Sequence, residues 1–177
     1  GLLADYYATP DTWEVQHALD KVLGAINRWL ISQATTRRDL AGMSCTLSAL
    51  VLRGQRYHLA HVGDSRVYLL RGETFTQLTT DHVWERPDMR HVLKRAVGLD
   101  SHLMADFAEG ELHPGDIFLL VSDGVWEPLG ELGMHSALKL YSNPAQAADE
   151  LVRLAHKQGG QDNASAVVVR VDAIAED

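Results

Sequence analysis

Apolar positions fall into two kinds of run along this chain, and each kind predicts a different element. From position 15 they recur at helical spacing, with Val15, Leu19, Val22, Leu23, Ile26, Trp29 and Leu30 on one stripe. Asp11-Thr12-Trp13-Glu14 supplies a helix start, and the pattern fades between 32 and 36. Gly42 then opens short runs that read as strands over 46–52, 57–62, 67–70 and 75–78. They are joined at Arg53-Gly54-Gln55, Gly63-Asp64-Ser65 and Arg71-Gly72-Glu73, so an antiparallel meander is expected.

A polar stretch comes next over 79–90, then a short predicted helix over 89–96 that stops at Gly98 as a C-cap. A strand over 104–112 leads into the turn His113-Pro114-Gly115-Asp116. Ile117-Phe118-Leu119-Leu120-Val121 reads as a buried strand, bounded by Asp116 on one side and Ser122-Asp123-Gly124 on the other. Helices are expected over 130–140 and 145–156, the second capped by Asn143 with Pro144 in its first turn. A last strand covers 164–171, and the tail from 173 is expected to fray. Strands first, then helices, then a closing strand predict an α+β sandwich whose sheets are covered by helices.

Carboxylates at the mouths of buried strands stand out against this pattern. A charge there needs a cation, a cluster of donors or water. Asp123 lies just after the strand over 117–121, and Asp162 sits in Gly159-Gly160-Gln161-Asp162-Asn163 just before the last strand. Two strand-end aspartates beside glycines suggest a shared site for a hard cation on a rigid sheet. Glu127 lies four residues after Asp123, on the same side if the chain turns helically after Gly124.

Each of these acids also has a plainer reading. Asp-Gly is a common turn, and an acid at a helix N-terminus is stabilised without any ligand. Asp162-Asn163 suits a capped loop, and Asp64-Ser65 suits a hairpin turn. Asp81-His82 reads as either an Asx-type turn or a metal site, with His82 a surface or hydrogen-bonded residue more readily than a ligand. Cys45 reads as a small buried residue rather than a nucleophile. No Gly-x-Ser-x-Gly elbow or Walker-type phosphate loop occurs.

Composition narrows the chemistry. The 177 residues fit one domain, and 46% hydrophobic content supports a real core. A formal net charge of −8 argues against nucleic acid or an anionic membrane as a general partner, and an anionic substrate would need a local positive centre. One cysteine excludes an internal disulfide and a cysteine-rich zinc site, and it suits a reducing cytoplasm. No apolar run is long enough to span a membrane. All-carboxylate sites suit Mg²⁺ or Mn²⁺.

Six short segments, taken in order, carry a family resemblance: Gly42-Met43-Ser44-Cys45-Thr46; His61-Val62-Gly63-Asp64-Ser65-Arg66; Leu78-Thr79-Thr80-Asp81-His82; Arg95-Ala96-Val97-Gly98; Ser122-Asp123-Gly124-Val125-Trp126-Glu127; and Gly160-Gln161-Asp162-Asn163-Ala164-Ser165. Over residues 42–171 the chain resembles the metal-dependent protein phosphatases, the PPM family of type 2C serine/threonine phosphatases, in a bacterial-type form with a short flap. The resemblance implies an α+β fold with a central antiparallel β-sandwich flanked by helices in α-β-β-α layers. It implies hydrolysis of phosphoserine and phosphothreonine by water activated at a binuclear Mn²⁺ or Mg²⁺ centre, with no side chain as nucleophile.

Carried across by position, Asp123 and Asp162 correspond to direct metal ligands, and Asp81 to an acid of a third, weaker metal site. Glu127 stands where many members have an aspartate serving that third site. Asp64, Asn163 and Gly124 correspond to supporting residues. The family's earlier acid and its Asp-Gly-x-Gly-Gly stretch match nothing in residues 1–41. Residues 1–177 are therefore expected to form a single phosphatase catalytic domain lacking its N-terminal strands and metal-binding segment. Partners on this reading are a phosphorylated protein substrate and a cognate Ser/Thr kinase. The alternative is a catalytically inactive, phosphatase-like binding or regulatory domain.

Overall fold

The computed structural model describes residues 1–85, 88–89, 92–160 and 162–174, and they divide into two compact units. The first comprises Gly1–Asp64 and His82–Gly110, the second Ser65–Asp81 and Glu111–Asp177. Each unit is built on one sheet of antiparallel strand pairs.

In the first unit a short helix α1, Leu2–Tyr7, not expected from the sequence, precedes α2, Val15–Thr36. Strand β1, Leu47–Arg53, pairs antiparallel with β2, Arg56–Val62, across a tight turn at Gly54, whose φ of 58° suits a residue without Cβ. Strand β5, Asp106–Glu111, lies on the other side of β2. Val15, Leu19 and Leu23 of α2 pack on Ala60 and on the partly buried Leu47, Ala49, Val51 and Phe107. The buried stripe of α2 departs from the expected one, because Trp29 is exposed and Asn27 is buried. The Asn27 amide donates to the Asp100 carbonyl at 2.8 Å and accepts from the Gly98 amide at 2.7 Å. A buried side chain so satisfied costs little and fixes one loop geometry.

The second unit joins four strands in the order β4-β3-β6-β7: β3, Arg66–Arg71; β4, Thr74–Gln77; β6, Ile117–Val121; and β7, Ala166–Arg170. All its pairings are antiparallel. Helices α3, Asp123–Leu140, and α4, Pro144–Lys157, supply Val125, Leu129, Met134, Leu138, Leu151 and Ala155 to a core with Tyr68, Leu70, Ile117, Leu119 and Val121. Asn143 caps α4 as expected, accepting from the amides of Ala145 and Gln146.

Four expectations need correction. The meander is broken, because β2 and β3 belong to different sheets and Gly63-Asp64-Ser65 is a crossing rather than a hairpin turn. The helix over 89–96 is not formed by its described residues. The Val92 amide donates to the Met89 carbonyl, and isolated bridges join Val83 to Leu93 and Cys45 to Val97, while Arg90 and His91 lie outside the described residues. Gly98 therefore ends no helix; its φ of 91° and its bond to Asn27 belong to a loop. Helix α3 starts seven residues before the expected position, at Asp123, because Gly130 (φ 62°) kinks it and only the later half carries an uninterrupted helical pattern. Cys45 is exposed rather than buried, and its backbone forms an isolated bridge with Val97.

One end of β6 shows how a buried carboxylate is balanced. Asp116 is 1% exposed and receives two bonds from Arg71, at 2.8 and 2.7 Å, and one from the His113 amide at 2.8 Å. Burial opposes its charge, but Arg71 and the His113 amide outweigh burial and hold the carboxyl below its ordinary value. The pair therefore contributes stability above the unfolded-state value, near pH 4, and that stability is lost as pH falls through the folded value. Chemical denaturation across pH 2–7 is expected to show this acid limb in the wild type. Asp116→Asn should flatten it and cost about 3 kcal/mol at pH 7, the low end for a broken buried pair because Arg71 reaches water.

Candidate metal centre

The register of the second sheet decides which residues meet. Arg66 pairs with Val121, and Val121 pairs with Ala166, so three strands have their site-proximal ends in one row. The turn after Val121 and the turn before Ala166 are forced together beyond that row. These are Ser122-Asp123-Gly124 and Asp162-Asn163-Ala164-Ser165, the two turns that carry the strand-end aspartates.

The turns touch through backbone. The Ser122 amide donates to the Ser165 carbonyl at 3.1 Å, and the Ser165 amide donates to the Ser122 hydroxyl at 3.0 Å. The Ser122 hydroxyl donates to the Asn163 carbonyl at 3.3 Å. Gly124 is buried, and a Cβ there would lie 2.4 Å from the Asn163 oxygen. Glycine is needed at 124 for this close approach, not for an unusual φ. Each aspartate is also oriented locally. Asp123 Oδ1 accepts from the Gly124 amide at 2.9 Å, and Asp162 Oδ1 accepts from the Asn163 amide at 2.7 Å.

Asp123 opens α3, where the helix dipole favours a negative charge, and Glu127 lies one turn later, exposed. Asp123 and Asp162 have the donor chemistry a hard divalent cation takes. Among the described residues, however, no group of three or more His, Cys, Asp or Glu side chains is arranged to hold a metal ion. The donor type fits a divalent cation, and the described donor count is short of a complete ligand set.

Asp81 stands apart from these two. Its carboxylate is gripped by Arg66, with Nε at 3.0 and 3.2 Å from the two oxygens and Nη2 at 2.7 Å from Oδ2. Gln77 adds a weaker bond at 3.3 Å. The Arg66 guanidinium also lies 3.5 Å from the ring centre of Trp126 and donates to the Tyr68 hydroxyl at 3.1 Å. Burial works against its charge, and Asp81 with Tyr68 more than restores it, so Arg66 holds its proton above the ordinary value. Sequence reasoning passes over Arg66 and Trp126. Both lie inside segments that carry the family resemblance, but nothing in the sequence says that they meet.

The neighbouring His82 is buried and satisfied. Its Nδ1 accepts from the Gly63 amide at 3.1 Å, which leaves Nε2 to donate to Asp106 at 2.9 Å. Asp106 also accepts from Arg95 at 3.0 Å; burial opposes its charge, but His82 and Arg95 outweigh that and lower its pKa. Gly63, next to Asp64, has φ 109°, and a Cβ there would lie 2.4 Å from the Thr46 side chain. Asp64 is half-buried in the same crossing.

Residues 8–172 match the family described as Stage II sporulation protein E. The serine/threonine phosphatase stp of Listeria innocua is 30% identical over 171 residues, covering 88% of this chain and 68% of that relative. The solved structure of PppA, a regulatory component of the type VI secretion system in Pseudomonas aeruginosa, aligns with TM-score 0.86 and 30% identity over 96% of this chain and 76% of that one. The catalytic domain of the serine/threonine phosphatase PstP, solved in complex with two manganese ions, aligns with TM-score 0.86 and 32% identity over 97% of this chain and 78% of that one. With two antiparallel sheets, helices and this order of site-bearing turns, the chain belongs to the PPM family of bacterial-type serine/threonine phosphatases, in its SpoIIE and type 2C-like group.

Proposed function

We propose that this domain is a Mn²⁺- or Mg²⁺-dependent phosphatase acting on phosphoserine and phosphothreonine in proteins, with Asp123 and Asp162 as metal donors. The observation that carries this reading is the backbone contact between the two aspartate-bearing turns at the end of the second sheet. When bound, a divalent cation supplies Lewis-acid charge for a phosphoryl oxygen and lowers the pKa of water. The chain's own contribution is placement. The β3-β6-β7 ladder sets the distance between turns, Gly124 permits their approach, and the Gly124 and Asn163 amides aim each carboxylate. Glu127 adds negative charge one turn along α3 and attracts cations to the same face.

A net charge of −8 repels a phosphate dianion, so the site needs local positive charge. Arg66 is already neutralised by Asp81. A phosphorylated protein and a cognate Ser/Thr kinase are the partners this reading implies, and the single cysteine suits the cytoplasm. No described helix is long and apolar enough to cross a membrane. A second reading, a phosphatase-like domain without catalysis, is favoured by the short donor count among the described residues.

Phosphate release from a phosphothreonine peptide, measured with and without added Mn²⁺, separates the two. Activity that requires Mn²⁺ and falls more than about 100-fold in Asp123→Asn and Asp162→Asn supports catalysis, because losing a direct ligand exceeds the cost of losing a supporting one. A folded protein that binds Mn²⁺ yet releases no phosphate supports the second reading. Gly124→Ala tests the geometry independently. The added methyl forces the turns apart, with an expected loss of about 1–3 kcal/mol in thermal or urea unfolding and weaker Mn²⁺ binding by calorimetry.

A further inference from the structure

Asp81 occupies a position from which the family resemblance expects a metal ligand, yet both of its oxygens are held by one guanidinium. The pair is largely withdrawn from water, with side-chain exposures of 20% for Arg66 and 18% for Asp81. Arg66 is fixed from three sides: the Asp81 fork, the Tyr68 hydroxyl, and the face of Trp126 at 3.5 Å. A bidentate, stacked guanidinium is far less mobile than a surface ion pair, and a competing cation must displace it rather than fill a gap.

Trp126 gives the arrangement a second consequence. It lies in the first turn of α3, between Asp123 and Glu127, and it packs against the core of the second sheet. Arg66 therefore links the Asp81 loop to the helical turn that presents Asp123. We infer that Arg66 is the resident counter-cation of Asp81, so that Asp81 is not a metal donor in this chain but a positioning residue that steadies Asp123 through Arg66 and Trp126. The inference rests on the proposed metal role of Asp123 and on nothing further in the proposed reaction.

The test compares Arg66→Ala, Asp81→Asn, the double variant and Asp123→Asn, by Mn²⁺ titration monitored by electron paramagnetic resonance and by thermal melting. A positioning role makes Arg66→Ala and Asp81→Asn change Mn²⁺ binding alike, with the number of bound ions equal to wild type. It also makes the double variant melt no lower than the worse single variant. A ligand role makes Asp81→Asn alone lose an ion that Arg66→Ala retains, and that result overturns the inference. Melting shifts that simply add in the double variant overturn it as well, and this arm decides the matter even if the wild type takes up no Mn²⁺. Failure of the metal reading itself is seen separately, as Mn²⁺ binding that Asp123→Asn leaves unchanged.

Discussion

The pairing of β3, β6 and β7 in a single register is the constraint on which the site depends. Arg66, Val121 and Ala166 stand in one row, and every residue of the proposed centre is attached just beyond it. A slip of one residue between β6 and β7 would carry one aspartate-bearing turn away from the other. Phe118 and Leu119, buried on opposite faces of β6, oppose such a slip. Fold stability and site geometry therefore share one set of contacts in this sheet.

The two ends of β6 treat the same physical problem differently. At its start, Asp116 is sealed by Arg71 and a backbone amide, and the carboxylate becomes structural. At its far end, Asp123 accepts a local amide bond from Gly124 and opens a helix. Asp81 resembles Asp116, since an arginine fork takes up its charge. An arginine stands at the β3 end facing each end of β6, and what differs is which acid engages it: Arg71 takes up the charge of Asp116, whereas Arg66, opposite the Asp123 end, is taken up by Asp81.

Much of this is legible in the sequence. Apolar periodicity locates α2, all seven strands to within about two residues, and α4 with its Asn143 cap. The strand-end placement of Asp123 and Asp162 is visible because each borders an unbroken apolar run. The kink at Gly130 is not, because Pro128 and Gly130 erase the helical signal over the first turns of α3. The split of the meander is hidden because turn residues at 63–65 look alike whether the chain reverses or crosses. Buried polar contacts are the least legible. Asn27 with Gly98, His82 with Asp106, and Arg66 with Asp81 and Trp126 join residues remote in sequence, and no local pattern marks them.

The order of strands in the second sheet also sets when the site can exist during synthesis. Strand β3 is complete at Arg71, but β6 begins at Ile117 and β7 ends only at Arg170. At a translation rate of about 5–20 residues per second, seconds separate the emergence of β3 from that of its last companion. Until then β6 has one open edge, and Asp123 has no opposing turn. The proposed centre is thus assembled last, by closure of the final strand, and a nascent chain carrying every earlier motif still lacks it.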